Sequence, residues 1–392
     1  MNTLAQLQAK AAPFVALRQD LHRHPELGLQ EFRTSALLAS QLEAWGYQVT
    51  RGLASTGLVA QLRRGQGSKR LGLRADMDAL PVQEANTFAH RSVHAGVMHA
   101  CGHDGHTAML MAAAKHIAEE VDFSGTLNLI FQPAEEHPGG AQLMIAQGLF
   151  ERFPCDAVFA AHNMPGIAAG RLVFIEGPAM ASSDDVTITL TGMGGHGAMP
   201  HRAHDPIVAA ASIVMALQTI VSRNVDPLQT AVITVGSLVA GQANNVIPHS
   251  ARLELSVRAL DPGVRDLLQE RITALVHAQA QSLGVQANID YKRDYPVLVN
   301  SARETELARQ VGIELLGAER VTRQGRPLTG SEDFAFMLEH CPGSYFMIGN
   351  GAGEGQAAHA CMVHNPGYDF NDDILPVGAA FWVLLTQRYL KD

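Results

Sequence analysis

At 392 residues the chain exceeds one ordinary domain, and at roughly 150 residues per domain two or three are expected. It is 47% hydrophobic and 17% charged, with 36 glycines and 18 prolines, which suits an α/β protein with a large core and many turns. A formal charge of −9 with no dense Lys/Arg run argues against nucleic acid or an anionic membrane as partner, and no apolar run reaches the ~20 residues that span a bilayer.

The N-terminus, "MNTLAQLQAKAAPFVALRQDLHRHPE", reads as an amphipathic helix and not as a signal peptide. The periodicity predicts a helix over 34–46, then strands over 56–63 and 69–76 around a "GQGS" turn. A helix over 106–120, a strand over 125–133, a short helix in "GAQLMIAQG" and a strand over 156–162 follow. Strands alternating with helices imply a mainly parallel sheet covered by helices. From 184 the pattern changes: "DDVTITLTG" alternates like a strand with one wet face. A helix (205–222), two strands (230–239, 250–260), a helix (262–283) and a strand (285–292) complete a ferredoxin-like βαββαβ unit. The expected architecture is an α/β catalytic domain, 1–183 and 298–392, with an inserted domain, 184–297.

Chemistry-bearing residues collect after predicted strands: Asp76 and Asp78 after "LGLRA", Glu135 and Glu136 after "LNLIFQPA", and His162 after "DAVFAA". Open α/β sheets place their sites beyond the carboxyl ends of strands. "CGHDGH", ahead of a helix, and "HNPGYDFNDD" (364–373) add further candidates. The inventory is Cys101, His103, Glu136, His162 and His364, with Glu135 and Asp76 close by. Thiolate, imidazole and carboxylate suit zinc, and the mixed softness also suits Mn, Co or Ni. Five protein ligands exceed the needs of one zinc, so two divalent ions are expected. Adjacent residues on extended backbone point opposite ways, so one of the Glu135-Glu136 pair can bind metal while the other faces substrate as a base.

Other histidines (His22, His24, His90, His94 and His116) are expected to be surface or packing residues, Asp78 and Asp104 to cap or orient neighbours, and His99 has no assigned part. The "GMGGHG" run lacks the Lys-Ser/Thr ending of a phosphate loop. Four scattered cysteines do not make a disulfide scaffold, so a reducing cytoplasm is expected.

The chain resembles the amidohydrolase branch of the dinuclear-metal aminoacylase/carboxypeptidase superfamily, which includes hippurate hydrolases, N-acyl-amino-acid amidohydrolases and auxin-conjugate hydrolases. The resemblance rests on "RQDLHRHPELGLQE", "LRADMDALP", "MHACGHDGHTAMLMAAA", "FQPAEE", "AAHNMPG", "GMGGHGAMPH", "ANNVIP", "TGSEDFAFM" and "HNPGYDFND", in order along nearly the whole length. It implies that the five candidate ligands bind metal, that Glu135 is the base, and that His196 and Asn245 reach the substrate from the inserted domain. Many relatives carry a metal-binding histidine two residues before the first-motif aspartate. Arg74 stands there, before Asp76, and the resemblance implies that Cys101 supplies the missing ligand, leaving open whether it bridges.

The expected reaction is metal-dependent hydrolysis of the amide of an N-acyl amino acid, with Asp76 orienting a ligand and His196 donating to the oxyanion. Arg258 is the candidate for the substrate carboxylate, and Gly330 and Ser331 of "TGSEDFAFM" are further substrate-binding candidates. A homodimer or higher oligomer through the inserted domain is expected. The rival readings are a dipeptidase or carboxypeptidase on the same site, a hydrolase with Cys101 as nucleophile, and a non-catalytic metal-dependent binding protein.

Overall fold

The computed structural model describes residues 2–352 and 359–391. The chain divides into two compact units, one taking Met1–Gly177, Val299–Arg326 and Asp333–Asp392, the other Pro178–Leu298 and Pro327–Glu332.

The first unit is built on an eight-stranded sheet. Its order is Gln48–Leu53, Gly57–Arg64, Gly125–Gln132, Arg70–Asp76, Ala157–Pro165, Gly343–Gly351, Leu172–Val173 and Val321–Thr322. The four strands from Gly125–Gln132 to Gly343–Gly351 run parallel, and antiparallel pairs flank them, so the sheet is mixed with a parallel centre. Residues 71–76 are all buried, as expected of a central strand covered on both faces. Strands 57–64 and 70–76 are not each other's partners. Between them lies Gly125–Gln132, because the chain leaves Asp76, runs through the helix His103–Glu120 and returns parallel beside the strand it left. That helix packs against the C-terminal helix Leu375–Tyr389. Apolar residues surround it, and a run of alanines (Ala108, Ala112, Ala113, Ala114) keeps it slim.

The second unit is the βαββαβ fold read from the sequence. Its sheet order is Ala231–Ala240, Ser250–Ala259, Asp184–Thr191 and Gln286–Arg293, antiparallel throughout. The helices Pro206–Arg223 and Pro262–Ser282 start alike: an aspartate (Asp205, Asp261) accepts a backbone N–H of the first turn, and proline follows at the first helical position. Ile213, Leu217, Leu253, Leu268 and Ile272 are among the side chains filling the space between helices and sheet. Among the described residues, Pro206–Arg223 is the one helix long and apolar enough to cross a membrane. One face of it (Ala209, Ala210, Ile213, Leu217, Ile220) is buried in this core, while Ile207, Val208 and Met215 are exposed.

Candidate metal centre

The carboxyl ends of three parallel central strands deliver one cluster. His162 lies within the strand Ala157–Pro165, Asp76 ends Arg70–Asp76, and Glu135 and Glu136 follow Gly125–Gln132 by a short turn. The fourth contributor is the helix His103–Glu120, which begins at His103 and not near His106, as the periodicity suggests. Gly102 precedes it in the left-handed region (φ 91°), and a Cβ there would lie 2.3 Å from Asn163 Nδ2 and 2.4 Å from Tyr368 Oη. Only glycine lets the loop approach these two side chains while turning into the helix. His364 reaches the cluster from a left-handed turn (φ 67°), its N–H donating to Ala100 O.

Three-residue groups whose donor atoms lie within 4.8 Å of one another include Cys101–His103–His162, Cys101–Glu136–His364 and His103–Glu135–Glu136. All five candidate ligands and Glu135 are therefore brought together. His162 Nε2 lies 3.3 Å from Cys101 Sγ, while His162 Nδ1 sits 2.6 Å from Asn163 O. A carbonyl oxygen only accepts, so Nδ1 carries the proton and Nε2 keeps its lone pair toward the thiol. His103 Nδ1 is 3.1 Å from Asp78 Oδ1, and its buried Nε2 has no hydrogen-bond partner. Glu136 Oε1 is 3.0 Å from His364 Nε2 in a geometry that makes no hydrogen bond. Buried polar atoms that converge without bonding one another call for a group between them.

The electrostatics agree. Burial, then the Glu136, Glu135 and Asp76 carboxylates, push the Cys101 thiol well above its ordinary range. Burial opposes charge on His103, but Asp76, Asp78 and Glu136 outweigh it and raise the imidazole to about 10. Burial and the nearby His106 hold His162 well below 6.5, a neutral imidazole suited to ligation. The cluster is thus short of positive charge at its centre, and its thiolate, imidazole and carboxylate donors fit divalent cations.

Asp78, read from sequence as a residue that caps or orients, holds both sides of this cluster. Its Oδ1 faces His103 Nδ1, and its Oδ2 accepts the Glu136 N–H at 3.0 Å. Asp76 is turned to His106 Nδ1 (2.7 Å) and to Arg74, which donates to it at 2.7 Å; its nearest oxygen is 3.7 Å from His103 Nε2. Burial opposes the Asp76 charge, but His103, Arg74 and His106 hold its carboxyl well below the usual range. Arg74 is buried, donating also to Gln132 Oε1 and Asp333 Oδ1. Asn163 and Tyr368 extend the frame: Tyr368 Oη donates to Asn163 Oδ1, and Asn163 Nδ2 donates to Cys101 O. His22 is fully buried between Asp104 and Glu84, and His99 is buried with neither ring nitrogen bonded.

The second unit gathers the remaining sequence candidates. A two-stranded ribbon pairs Gly195–His196 with Val246–Ile247, setting His196 opposite Val246 and beside Asn245. Both His196 and Asn245 are exposed. The Ala198 N–H donates to His196 Nδ1 at 3.1 Å, so the ring carries its proton on Nε2. Arg258 Nη1 donates to Ser331 Oγ at 2.9 Å, and Gly330 O accepts from Ala181 N.

Residues 72–388 match the sequence pattern of peptidase family M20/M25/M40. The chain belongs to that family. It is 42% identical over 391 residues to a hippurate hydrolase of Campylobacter jejuni, with both chains covered at 100%. It is 39% identical over 336 residues to an N-acetyl-L-cysteine deacetylase of Bacillus subtilis, covering 86% of this chain and 80% of the other. Among solved structures it is similar to a dinuclear metal binding peptidase of the M20 family from Bacillus subtilis, with TM-score 0.84, 29% identity and coverage of 98% and 99%. Like the M20 family at large, the chain is a metal-dependent hydrolase, and its donor clusters are consistent with two divalent ions per subunit.

Proposed function

We propose that the chain hydrolyses the amide bond of N-acyl amino acids of the hippurate type, releasing a carboxylic acid and an amino acid. The carrying observation is the pair of donor triads that share Cys101 beside the buried carboxylate of Glu135. Full-length similarity to a hippurate hydrolase supports the substrate class. Cys101, His103, Glu136, His162 and His364 would hold the two ions between them. The mixed donor set suits Zn, Mn, Co or Ni. When bound, the ions supply Lewis acidity, polarising the scissile carbonyl and lowering the pKa of a water to about 7.

The protein's own groups do the rest. Asp78 keeps the His103 ring oriented, and Asp76 fixes His106 behind it. Glu135 takes a proton from the attacking water and passes it to the leaving amine. His196 donates its Nε2 proton to the developing oxyanion, and Asn245 sits beside it in the same ribbon. The Arg258 guanidinium receives the substrate carboxylate, with Gly330 and Ser331 next to it. Burial, and then the surrounding carboxylates, raise the Cys101 thiol and disfavour the free thiolate that a cysteine hydrolase needs.

The inserted unit supports a homodimer. Ala231–Ala240 is an edge strand, and Leu238 and Val239 on it are exposed, as are Ile207, Val208 and Met215 of the helix Pro206–Arg223. An unpaired edge and exposed apolar side chains in one small unit suit pairing with a second copy. Four free cysteines support the cytoplasm as its compartment.

A turnover screen tests the reading. N-acetyl, N-benzoyl and indole-acetyl amino acids, with dipeptides alongside, are offered to enzyme reconstituted separately with Zn, Mn, Co and Ni. Release of free amino acid from the acyl substrates is expected. Turnover of dipeptides alone would replace the reading with a peptidase, and no turnover of any amide by metal-loaded protein would overturn it.

A further inference from the structure

The segment "HPELGLQEF" (24–32) lies outside the stretch 72–388 that carries the family match, and the reaction as derived gives it no part. Its Glu31 stands at the N-cap of the helix Phe32–Ala44 without capping it. Glu26 does that work, accepting the Arg33 and Thr34 N–H groups at 2.9 and 2.8 Å. Glu31 is turned the other way and buried. Its Oε1 accepts the Ala134 N–H at 2.9 Å, and its Oε2 accepts the Thr56 hydroxyl at 2.5 Å.

Ala134 immediately precedes Glu135 and has φ 51°, in the left-handed region that a residue with a Cβ adopts only when held there. Both of its backbone polar groups are held: the N–H by Glu31, and the carbonyl by the N–H groups of Gly139 and Gly140. Gly28 closes the same turn from the side. A Cβ there would lie 2.5 Å from His137 O and 2.9 Å from Ala134 Cβ.

We propose that Glu31 is the positioning residue of the base-bearing loop: by accepting the Ala134 N–H it fixes the left-handed turn from which Glu135 is presented. This rests on Glu135 being the base. Glu136 has its own backbone anchor on Asp78, so loss of Glu31 misplaces the base while leaving the ligand in place.

The test compares Glu31→Ala, Glu31→Gln, Thr56→Val and the double variant Glu31→Ala/Ala134→Gly, all as metal-loaded full-length protein. Steady-state constants, metal content and thermal midpoint are measured on each. Glu31→Ala should lower kcat by about tenfold to a hundredfold, the scale of a misplaced reacting group, with KM and metal content nearly unchanged. Glu31→Gln keeps a side-chain oxygen for the Ala134 N–H and should retain most of kcat. Glycine at position 134 adopts φ above zero unaided, so the double variant should recover several-fold in kcat without recovering thermal midpoint. Thr56→Val removes one of the two bonds that hold Glu31 and should lose an intermediate amount. An unchanged kcat in Glu31→Ala overturns the proposal, as does a loss that glycine at 134 does not relieve. If Glu31→Ala does not fold, an unchanged kcat in Thr56→Val overturns it. Failure of the underlying reading looks different: Glu135→Gln would then keep wild-type kcat.

Discussion

His162 and Cys101 meet through Nε2 and Sγ at 3.3 Å, and the tautomer of His162 is set by its own neighbour's carbonyl at 2.6 Å. A neutral imidazole nitrogen aimed at a buried thiol among carboxylates has two uses: a weak hydrogen bond, or joint ligation of a cation that turns the thiol into a thiolate. Ligation accounts as well for the unpartnered Nε2 of His103 in the same triad.

Cys101 reactivity distinguishes the two. As a ligand it is deprotonated and shielded. Iodoacetamide labelling followed by peptide mass spectrometry should find Cys101 slow to react in metal-loaded protein. After chelation its accessibility rises but burial keeps the thiol protonated, so labelling should increase with pH above neutrality. Equal labelling in both forms across pH would count against ligation.

The adjacent glutamates should separate cleanly. Glu135→Gln keeps the side-chain size and removes the base, so turnover should fall by roughly 100-fold or more with metal content nearly intact. Glu136→Gln should lose metal, because Glu136 converges with His364 and Cys101. Elemental analysis and kinetics on the two variants check this, and exchanged phenotypes would reverse the roles assigned within the pair.

The parts of this site legible in the sequence are those whose position follows from local pattern. Glu135 and Glu136 stand just past a strand end that an apolar run and Pro133 mark. His162 lies in the last part of a strand that an apolar run marks and that continues to Pro165. The βαββαβ order of the insert follows from alternation and spacing. What was not legible depends on contacts between distant segments. Glu31 bonds Ala134 across 103 residues, and Arg18 pairs with Asp372 across 354. Nothing in the spacing around His22 distinguishes a solvated histidine from one buried against Asp104. The helix start was misplaced for a different reason. The apolar pattern starts only at His106, whereas Gly102 in its left-handed conformation is the entry to a helix that begins at His103. The parallel return that sets 125–132 between two sequence-adjacent strands is likewise a property of the crossover and not of either strand.

His22 gives a stability prediction with a definite pH window. Burial opposes its charge, but Asp104 at 2.9 Å and Glu84 outweigh it, and its pKa rises from 6.5 to about 9. A folded pKa above the unfolded one stabilises fully below pH 6.5, and the contribution is lost as pH rises through 9. His22→Asn should therefore cost about 3 kcal/mol at pH 6, the low end for stranding a buried charge, because Arg18 still faces Asp104. Denaturant melts of wild type and variant between pH 6 and 9.5 should converge as pH rises. A gap that stays constant or widens would rule out a charged His22.

The final prediction concerns where His196 works. It sits exposed on a ribbon of the inserted unit, the unit whose edge strand and apolar helix face support pairing with a second copy. If pairing carries this ribbon to the neighbour, the partner subunit's His196 completes each active site. Glu135→Ala and His196→Ala homodimers should each be nearly inactive. In a mixed dimer, the subunit that keeps Glu135 would receive an intact His196 from the other, while its mate would lack both. Random reassortment of equal amounts makes about half the dimers mixed, each with one competent site of two, so about a quarter of wild-type activity should return. Subunit exchange is verified independently by mass spectrometry of differently tagged chains. Confirmed exchange with no recovered activity would assign His196 to its own chain's site or to no catalytic part.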